Sequence, residues 1–243
     1  MKIAIALKYW AIGGAEVGYR RLSNALPYDF DFVTAITQPY DVVIYSNSHD
    51  FYKQAKSVGC KKIIQRTTGP RSYNLPQPND LHAIVCSSVK AYNKSQHPNK
   101  VLIYNLPPSE PAKPIKCDLL YSPARIGVGQ CVDKACDYAY QNQRLLTVLG
   151  GKQHLHEDTY YELQRRYPEV QWTGVVNPTK ALRYMKGCED YIVPTSVHGV
   201  SNAVIEAVAM NKNIINLGGV EVPDKENIDP SETLKKWIKL LEQ

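Results

Sequence analysis

The stretch PTSVHGVSNAVIEAVAMNKNIIN, Pro194 to Asn216, decides the fold prediction for this chain. A short apolar run at 191–193 precedes it, and small polar residues fill 195–202. Residues 203–210 carry apolar side chains at helical spacing, and after a turn at 211–213 a second apolar strand begins. This is the layout of a parallel βαβ unit, whose loop lies at the carboxyl end of its first strand, where α/β folds bind ligands.

The start of the predicted helix suits an anionic ligand. The backbone N–H groups of Gly199, Val200, Ser201 and Asn202 open this helix. The first N–H groups of a helix have no intrahelical partner and lie at the positive end of its dipole, which attracts phosphate. Glu206 follows one helical turn later, within reach of sugar hydroxyls beside such a phosphate. Layout alone favours an ordinary βαβ unit with a capped helix.

The same stretch resembles the nucleotide-sugar site of the retaining GT-B glycosyltransferases of family 4. Pro194-Thr195 begins the family pattern, HGVS at 198–201 occupies its first acidic block, and EAVA at 206–209 its second. The offset of eight residues from His198 to Glu206 equals that between the two glutamates of the family. His198 therefore replaces the first glutamate, and a core or capping histidine is the competing interpretation of this residue.

Strands that alternate with helices along the whole chain predict doubly wound parallel sheets. The resemblance implies an α/β fold of the GT-B type, with two Rossmann-like domains facing a cleft.

The proline-dense segment LPPSEPAKP, 106–114, predicts a stiff linker, so we place the domains at 1–115 and 116–230. Ser231 is predicted to cap a C-terminal helix in 231–243. Whether this helix packs on the first domain or on its own stays open. Gly59 is predicted to end a helix at 51–58.

The resemblance also assigns the cation at the donor diphosphate. Arg125, which follows the strand that opens the second domain, matches the family arginine that holds the pyrophosphate. The family lysine about five residues later is replaced by Gln130, so Lys134 and Lys152 are the candidate cations in its place. Without the resemblance, Arg125 is better interpreted as a structural or surface residue.

Further donor-site residues follow from the same comparison. Gly13 and Gly14 lie just after the first strand, where glycine lets the backbone approach a phosphate. Gly151 matches a glycine after the second strand of the nucleotide domain, and Val176 is expected beside the base. Thr68 stands where the family has a histidine near the donor sugar.

The chemistry that the resemblance implies is sugar transfer from a nucleotide-diphosphate sugar to an acceptor hydroxyl, with retention, without a metal and without a cofactor. Arg125 and the helix N–H groups would neutralise the departing diphosphate. Glu206 would accept hydrogen bonds from the ribose, and His198 would contact the donor sugar. These three residues are the catalytic candidates.

Net charge adds a hypothesis about the acceptor. Residues 1–115 hold 14 Lys+Arg and 7 Asp+Glu, a balance of +7, whereas residues 116–243 hold 15 and 16, a balance of −1. A basic first domain suggests an anionic partner: nucleic acid, an anionic membrane surface or a phosphorylated acceptor. A lipid-linked or saccharide acceptor is the first interpretation. Transfer to nucleic acid, such as modified bases of viral DNA, and a catalytically decayed nucleotide-sugar-binding protein are the alternatives.

Bulk properties limit the setting of this chain. Its 243 residues contain 44% apolar residues and no apolar run long enough to span a membrane, which is typical of a globular protein. The N-terminus has too short an apolar core for a signal peptide. The six cysteines form no CxxC pair and have no histidine partners at metal spacing, which favours reduced thiols in a cytoplasm over disulfides or zinc.

Overall fold

The computed structural model describes residues 1–8, 14–46, 48–67, 76–108, 113–126, 130–152, 157–195 and 200–243, and only the backbone of residues 14, 124 and 125. These residues form two compact units. Unit 1 comprises Met1–Pro107 and Glu226–Gln243, and unit 2 comprises Pro108–Lys225. The division at Pro107 lies inside the proline-dense segment, and the chain returns to unit 1 at Glu226.

Unit 1 contains a six-stranded sheet in the order β2-β1-β3-β4-β5-β6, and every pair is parallel. Its strands are β1 (Lys2–Ala6), β2 (Asp29–Val33), β3 (Val42–Tyr45), β4 (Lys62–Thr67), β5 (Ala83–Cys86) and β6 (Lys100–Leu102). Its helices within the described residues are α1 (Gly14–Ala25), α2 (Asp50–Ser57), α3 (Val89–Lys94) and the C-terminal helix.

Unit 2 contains a five-stranded sheet in the order β11-β10-β7-β8-β9, again with every strand pair parallel. Its strands are β7 (Cys117–Ile126), β8 (Leu146–Lys152), β9 (Gln171–Trp172), β10 (Cys188–Val193) and β11 (Asn213–Asn216). Its described helices are α4 (Val132–Gln141), α5 (Glu157–Arg166), α6 (Pro178–Gly187) and α7 (Asn202–Ala209). Two doubly wound parallel sheets confirm the predicted α/β class.

Apolar runs in the sequence form the cores because a parallel sheet is covered on both faces. All four residues of β3 and of β5 are buried. One face of the unit 1 sheet packs its apolar side chains with those of α1 and the C-terminal helix, and the other with those of α2 and α3. In unit 2, α4 packs against β7 and β8.

Local capping chemistry sets several helix ends. After α2, Gly59 has φ +77, its N–H donates to the Lys56 carbonyl, and the Cys60 N–H donates to the Ala55 carbonyl. These two bonds are a Schellman motif, which requires a left-handed residue and so favours glycine. The predicted helix end at Gly59 is confirmed.

The helix that ends the chain, α8 (Pro230–Glu242), begins after a 3₁₀ turn at Lys225–Ile228. Its cap is Asp229, whose carboxylate accepts from the Glu232 N–H at 3.0 Å, so the prediction that Ser231 caps it is wrong. Pro230 has no N–H and therefore fits the first helical position, so the helix begins one residue before Ser231. Trp237 and Leu241 are buried in the unit 1 core.

Arg144 ties two neighbouring strands of unit 2 at their amino ends. Its guanidinium donates to Asp118 of β7, with Nε to Oδ1 at 2.8 Å, and to Asp190 of β10. The other Asp118 oxygen accepts from the Leu145 N–H at 2.9 Å. Hydrogen bonding from Arg144 lowers the pKa of Asp118. One arginine therefore bridges two carboxylates on neighbouring strands.

Replacing this arginine tests its contribution. We expect Arg144→Met to lower the free energy of unfolding by about 2 kcal/mol, because two half-buried carboxylates lose a charge-assisted partner. A lowered carboxyl pKa stabilises the native state above the ordinary pKa, and this stabilisation is lost as the pH falls through the lowered value. The variant should therefore also unfold in acid at a higher pH than the wild type.

Urea denaturation at neutral pH and an acid titration followed by circular dichroism measure both effects. Arg165→Met, which removes an exposed arginine from α5, is the matched control. Equal losses in the two variants would show that the Arg144 contacts contribute no net stability.

Candidate functional site

The strand order of unit 2 reverses between β7 and β10. From β7 the chain builds outward through β8 to β9, then returns to the other side of β7 with β10 and β11. The connecting segments therefore diverge at the carboxyl ends of β7 and β10, and doubly wound folds bind their ligands in such a crevice. The segment that follows β10 leads directly into α7.

Helix α7 is fixed at both ends. Ser201 is its N-cap, and the Ser201 hydroxyl accepts from the Val204 N–H at 3.3 Å. At the other end Asn211 has φ +54, with its N–H bonded to the Val208 carbonyl at 3.0 Å. Buried residues, among them Ile205 with no exposed surface, hold the helix against the sheet. The predicted strand–loop–helix–strand layout is confirmed, and the helix N-terminus is placed at the switch point.

Glu206 lies on α7 one turn from this N-terminus and is half-buried. Burial is the main cause of the strongly raised pKa of Tyr191, the tyrosine in β10, and the charges of Tyr121 and Glu206 raise it further. The Glu206 carboxylate is therefore near enough to β10 for its charge to act on Tyr191.

Arg125 and Gly151 are neighbours at the carboxyl ends of β7 and β8, where the strands pair residue for residue. The next pair in register joins Ile126 and Lys152. Since β7 also pairs with β10, the backbone of Arg125 lies at the same edge of the sheet as α7. The sheet thus brings together the backbone positions of Arg125, Gly151 and Lys152.

Gly151 allows the loop after β9 to come close. The Gly150 N–H donates to the Gly174 carbonyl at 3.0 Å, and Gly174 has φ +68. A Cβ added to Gly151 would run into Cγ2 of Val175, whose own side chain is 77% exposed. Val176, the next residue, is half-buried. An exposed valine and a half-buried one therefore lie beside the end of β8.

The surroundings differ between the two candidate cations, Lys152 and Lys134, and Gln130, which replaces the family lysine. Lys152 forms an ion pair with Glu157, Nζ to Oε2 at 3.0 Å, and both side chains are largely exposed. Lys134 is exposed in the first turn of α4. Gln130 is held by Tyr121, whose hydroxyl donates to the Gln130 carbonyl at 2.7 Å. Exposed ion pairs contribute little and break readily, so Lys152 can reorient towards an anion.

Tyr121 and Tyr191 were not singled out in the sequence. Both are buried in unit 2 strands, and burial raises the pKa of each. The available signal is a tyrosine within an apolar strand, because a buried hydroxyl requires a hydrogen-bond partner.

Several predicted site residues lie outside the described residues: Gly13, Thr68, His198 and Gly199. Gly14 is described by its backbone, which begins α1. Val200 is buried and Asn202 is half-buried at the start of α7. Among the residues that the structure describes, no three His, Cys, Asp or Glu side chains are grouped to hold a metal ion. In the same part of the chain, no helix has the length and apolar character needed to cross a membrane.

Comparison with known proteins finds no matching family model and no similar protein among the curated ones. Solved structures do match. Sucrose-phosphate synthase from Thermosynechococcus elongatus gives a TM-score of 0.72 at 13% identity, covering 100% of this chain and 96% of that one. AviGT4, a glycosyltransferase involved in avilamycin A biosynthesis, gives 0.70 at 11%, covering 99% and 97%.

A TarM variant from S. aureus, solved in complex with fondaparinux, α-GlcNAc-glycerol and UDP, gives a TM-score of 0.57 at 10% identity. The match covers 83% of this chain and 48% of TarM, so the chain spans about half of TarM's length. At such low sequence identities, the structural similarity establishes the fold alone. The chain has the GT-B fold, as the sequence predicts.

The close approach at Gly151 can be tested by stability. We expect Gly151→Ala to destabilise the protein by about 1–2 kcal/mol, because the new methyl group pushes Val175 away from the end of β8. The double variant Gly151→Ala/Val175→Ala should recover most of this loss, because it removes the colliding atom.

Urea denaturation of the two variants and of Val175→Ala alone measures the coupling between the two positions. Additive effects of the two substitutions would contradict the contact.

Proposed function

We propose that this chain is a glycosyltransferase that moves a sugar from a nucleotide-diphosphate sugar to an acceptor hydroxyl. One observation carries the proposal: the capped N-terminus of α7 lies at the switch point of a GT-B nucleotide unit, with Glu206 one turn further along. A helix N-terminus at that place suits a diphosphate, and a carboxylate beside it suits the hydroxyls of a ribose.

The diphosphate is proposed to bind between β7 and α7. The N–H groups of Gly199, Val200, Ser201 and Asn202 donate to its oxygens, and Arg125 supplies a full positive charge from the end of β7. Negative charge grows on the diphosphate as the sugar leaves, so donors that are already in place lower the barrier. Arginine suits this role because its planar fork matches two phosphate oxygens.

The nucleoside is proposed to lie across the ends of β7 and β8. Glu206 accepts hydrogen bonds from the ribose, and the apolar surface of Val175 and Val176 covers one face of the base. The exposed fraction of Val175, 77%, supports this placement, because a base would remove that apolar surface from water. Gly13, Gly14, Gly151 and Lys152 complete the proposed donor contacts.

His198 is proposed to contact the donor sugar in place of the family's glutamate. A neutral imidazole donates one hydrogen bond and accepts one, whereas a carboxylate only accepts, so the preferred sugar is expected to differ. Retention, independence of metals and the absence of a cofactor rest on the resemblance to family 4. The UDP and saccharides in the TarM complex support a nucleotide sugar as donor and a saccharide as acceptor. A lipid-linked hydroxyl is the other acceptor proposed.

Substituting Glu206 tests the donor site. A panel of UDP-, GDP- and ADP-sugars is screened by thermal shift, and the best donor is titrated by calorimetry. We expect Glu206→Gln to weaken its binding by about tenfold or more, because ribose hydroxyls lose a charged acceptor. Glu162→Gln, an exposed glutamate of α5, is the matched control.

Release of the nucleotide diphosphate is then measured with saccharide acceptors. The proposal expects release by the wild type and by Glu162→Gln, and much slower release by Glu206→Gln. Unchanged donor affinity in Glu206→Gln would refute the site, and donor binding without any release would identify a binding protein instead of an enzyme.

A further inference from the structure

A second group of polar side chains lies in unit 1, at the carboxyl edge of its sheet. We call it the Arg66 cluster and define it as Glu16, Tyr19, Ser46, Arg66 and Asn105. Strand order in this sheet reverses between β1 and β3. Ser46 follows β3 directly, and Arg66 is the last residue but one of β4. The cluster therefore occupies the position in unit 1 that corresponds to the donor site in unit 2.

Arg66 is a buried cation without a carboxylate partner. Only 2% of the residue is exposed, and its guanidinium carbon lies 4.6 Å from the centre of the Tyr19 ring and 5.6 Å from that of Trp237. Nη2 donates to the Asn105 side chain, whereas Nε and Nη1 are buried without a hydrogen-bond partner. No ion pair joins Arg66 to any carboxylate of the described residues.

Burial of the Arg66 guanidinium is energetically unfavourable unless its remaining donors find hydrogen-bond acceptors. Buried guanidinium groups are normally paired, because burial of a charge is unfavourable without hydrogen bonds to it. Burial lowers the pKa of Arg66, and the neighbouring Tyr19 opposes that effect. Two buried, unused donors on a cation are the complement of an oxyanion.

Neighbouring groups are also unsatisfied. The Ser46 and Tyr19 hydroxyls are buried close to each other, and within the described residues neither makes a hydrogen bond of normal geometry. Both Arg66 and Ser46 are near enough to the Tyr19 hydroxyl to oppose the rise in its pKa that burial causes. The two hydroxyls and the guanidinium therefore converge on one place at the end of β3 and β4.

Glu16 adds an acceptor on the same side of α1. It lies three residues before Tyr19, so the two side chains share one helical face. Its Oε1 accepts from Arg20 Nε at 3.0 Å, and its Oε2 is buried without a partner. The cluster thus offers donors for an anion and one acceptor for a hydroxyl.

The net positive charge of unit 1 also favours an anionic ligand. Unit 1 holds 16 Lys+Arg and 10 Asp+Glu, a balance of +6, whereas unit 2 holds 13 of each, a balance of zero. The whole formal net charge of the chain thus belongs to the unit that contains Arg66. A positive unit attracts small anions from solution.

We propose that the Arg66 cluster is an oxyanion site, which binds a phosphate or carboxylate group of a small molecule through Nε and Nη1 of Arg66 and the hydroxyls of Tyr19 and Ser46. Glu16 accepts from a hydroxyl of the same molecule. The proposal concerns unit 1 by itself and does not rest on glycosyl transfer. If the chain is a glycosyltransferase, the anion belongs to its acceptor.

Backbone amide resonances of the full chain are followed while inorganic phosphate, acetate or chloride is added at matched ionic strength. We expect saturable shifts at Tyr19, Ser46 and Thr67 with phosphate or acetate and none with chloride. The comparison of phosphate with acetate identifies the preferred oxyanion. Shifts confined to residues 201–204 would mean that phosphate binds only at α7, and would overturn the proposal.

Two variants test the role of Arg66 in this binding. Arg66→Met keeps an apolar stem between the two aromatic rings and should weaken binding at this site about tenfold or more. Arg66→Lys keeps the charge and should bind more weakly than the wild type but more tightly than Arg66→Met. Arg165→Met should bind as the wild type does. If Arg66→Met does not fold, the wild-type titration still decides. Wild-type affinity in a folded Arg66→Met would overturn the proposal.

Discussion

Reversal of strand order in a parallel sheet is the constraint on which the rest of this structure depends. Crossover connections run to opposite sides of the starting strand, so the segments that leave two adjacent strands diverge and leave their carboxyl ends uncovered. In unit 2 these strands are β7 and β10, and in unit 1 they are β1 and β3. Loops from separate strands meet at these two edges. The unit 2 edge holds the start of α7 and the backbone of Arg125, and the unit 1 edge holds the Arg66 cluster.

The charged groups at the edges of the two sheets differ in how they are paired. At the amino ends of the unit 2 strands, Arg144 forms ion pairs with both Asp118 and Asp190. At the carboxyl end of the same sheet, the proposed positive charge is that of a helix terminus and of Arg125, whose backbone lies in β7. Unit 1 instead buries a whole guanidinium, that of Arg66, and two of its donors have no hydrogen-bond partner among the described residues. Completed ion pairs stabilise a fold, whereas incomplete ones at a switch point indicate a place for a ligand.

Sequence patterns predicted the parts of the fold that local chemistry determines. The apolar periodicity of 203–210 and the turn that follows predicted the βαβ unit. Gly59 predicted the end of α2, because glycine adopts the left-handed conformation that this helix end requires. The cap at Ser231 was wrong because Asp229, two residues earlier, caps the helix instead, and Pro230 fits the first helical position between them. The buried state of Arg66 was not predictable, since it depends on Tyr19 and Trp237, which are distant in sequence.

The central claim is that a nucleotide sugar binds at the carboxyl edge of unit 2, between β7 and the start of α7. Hydrogen–deuterium exchange of the full chain, with and without a saturating nucleotide sugar, tests it most directly. The account predicts slower exchange in peptides that cover residues 200–206 and 150–152, because their amides gain phosphate partners or lose access to water. Protection confined to unit 1, or unchanged exchange at 200–206 while the donor is bound, would contradict it.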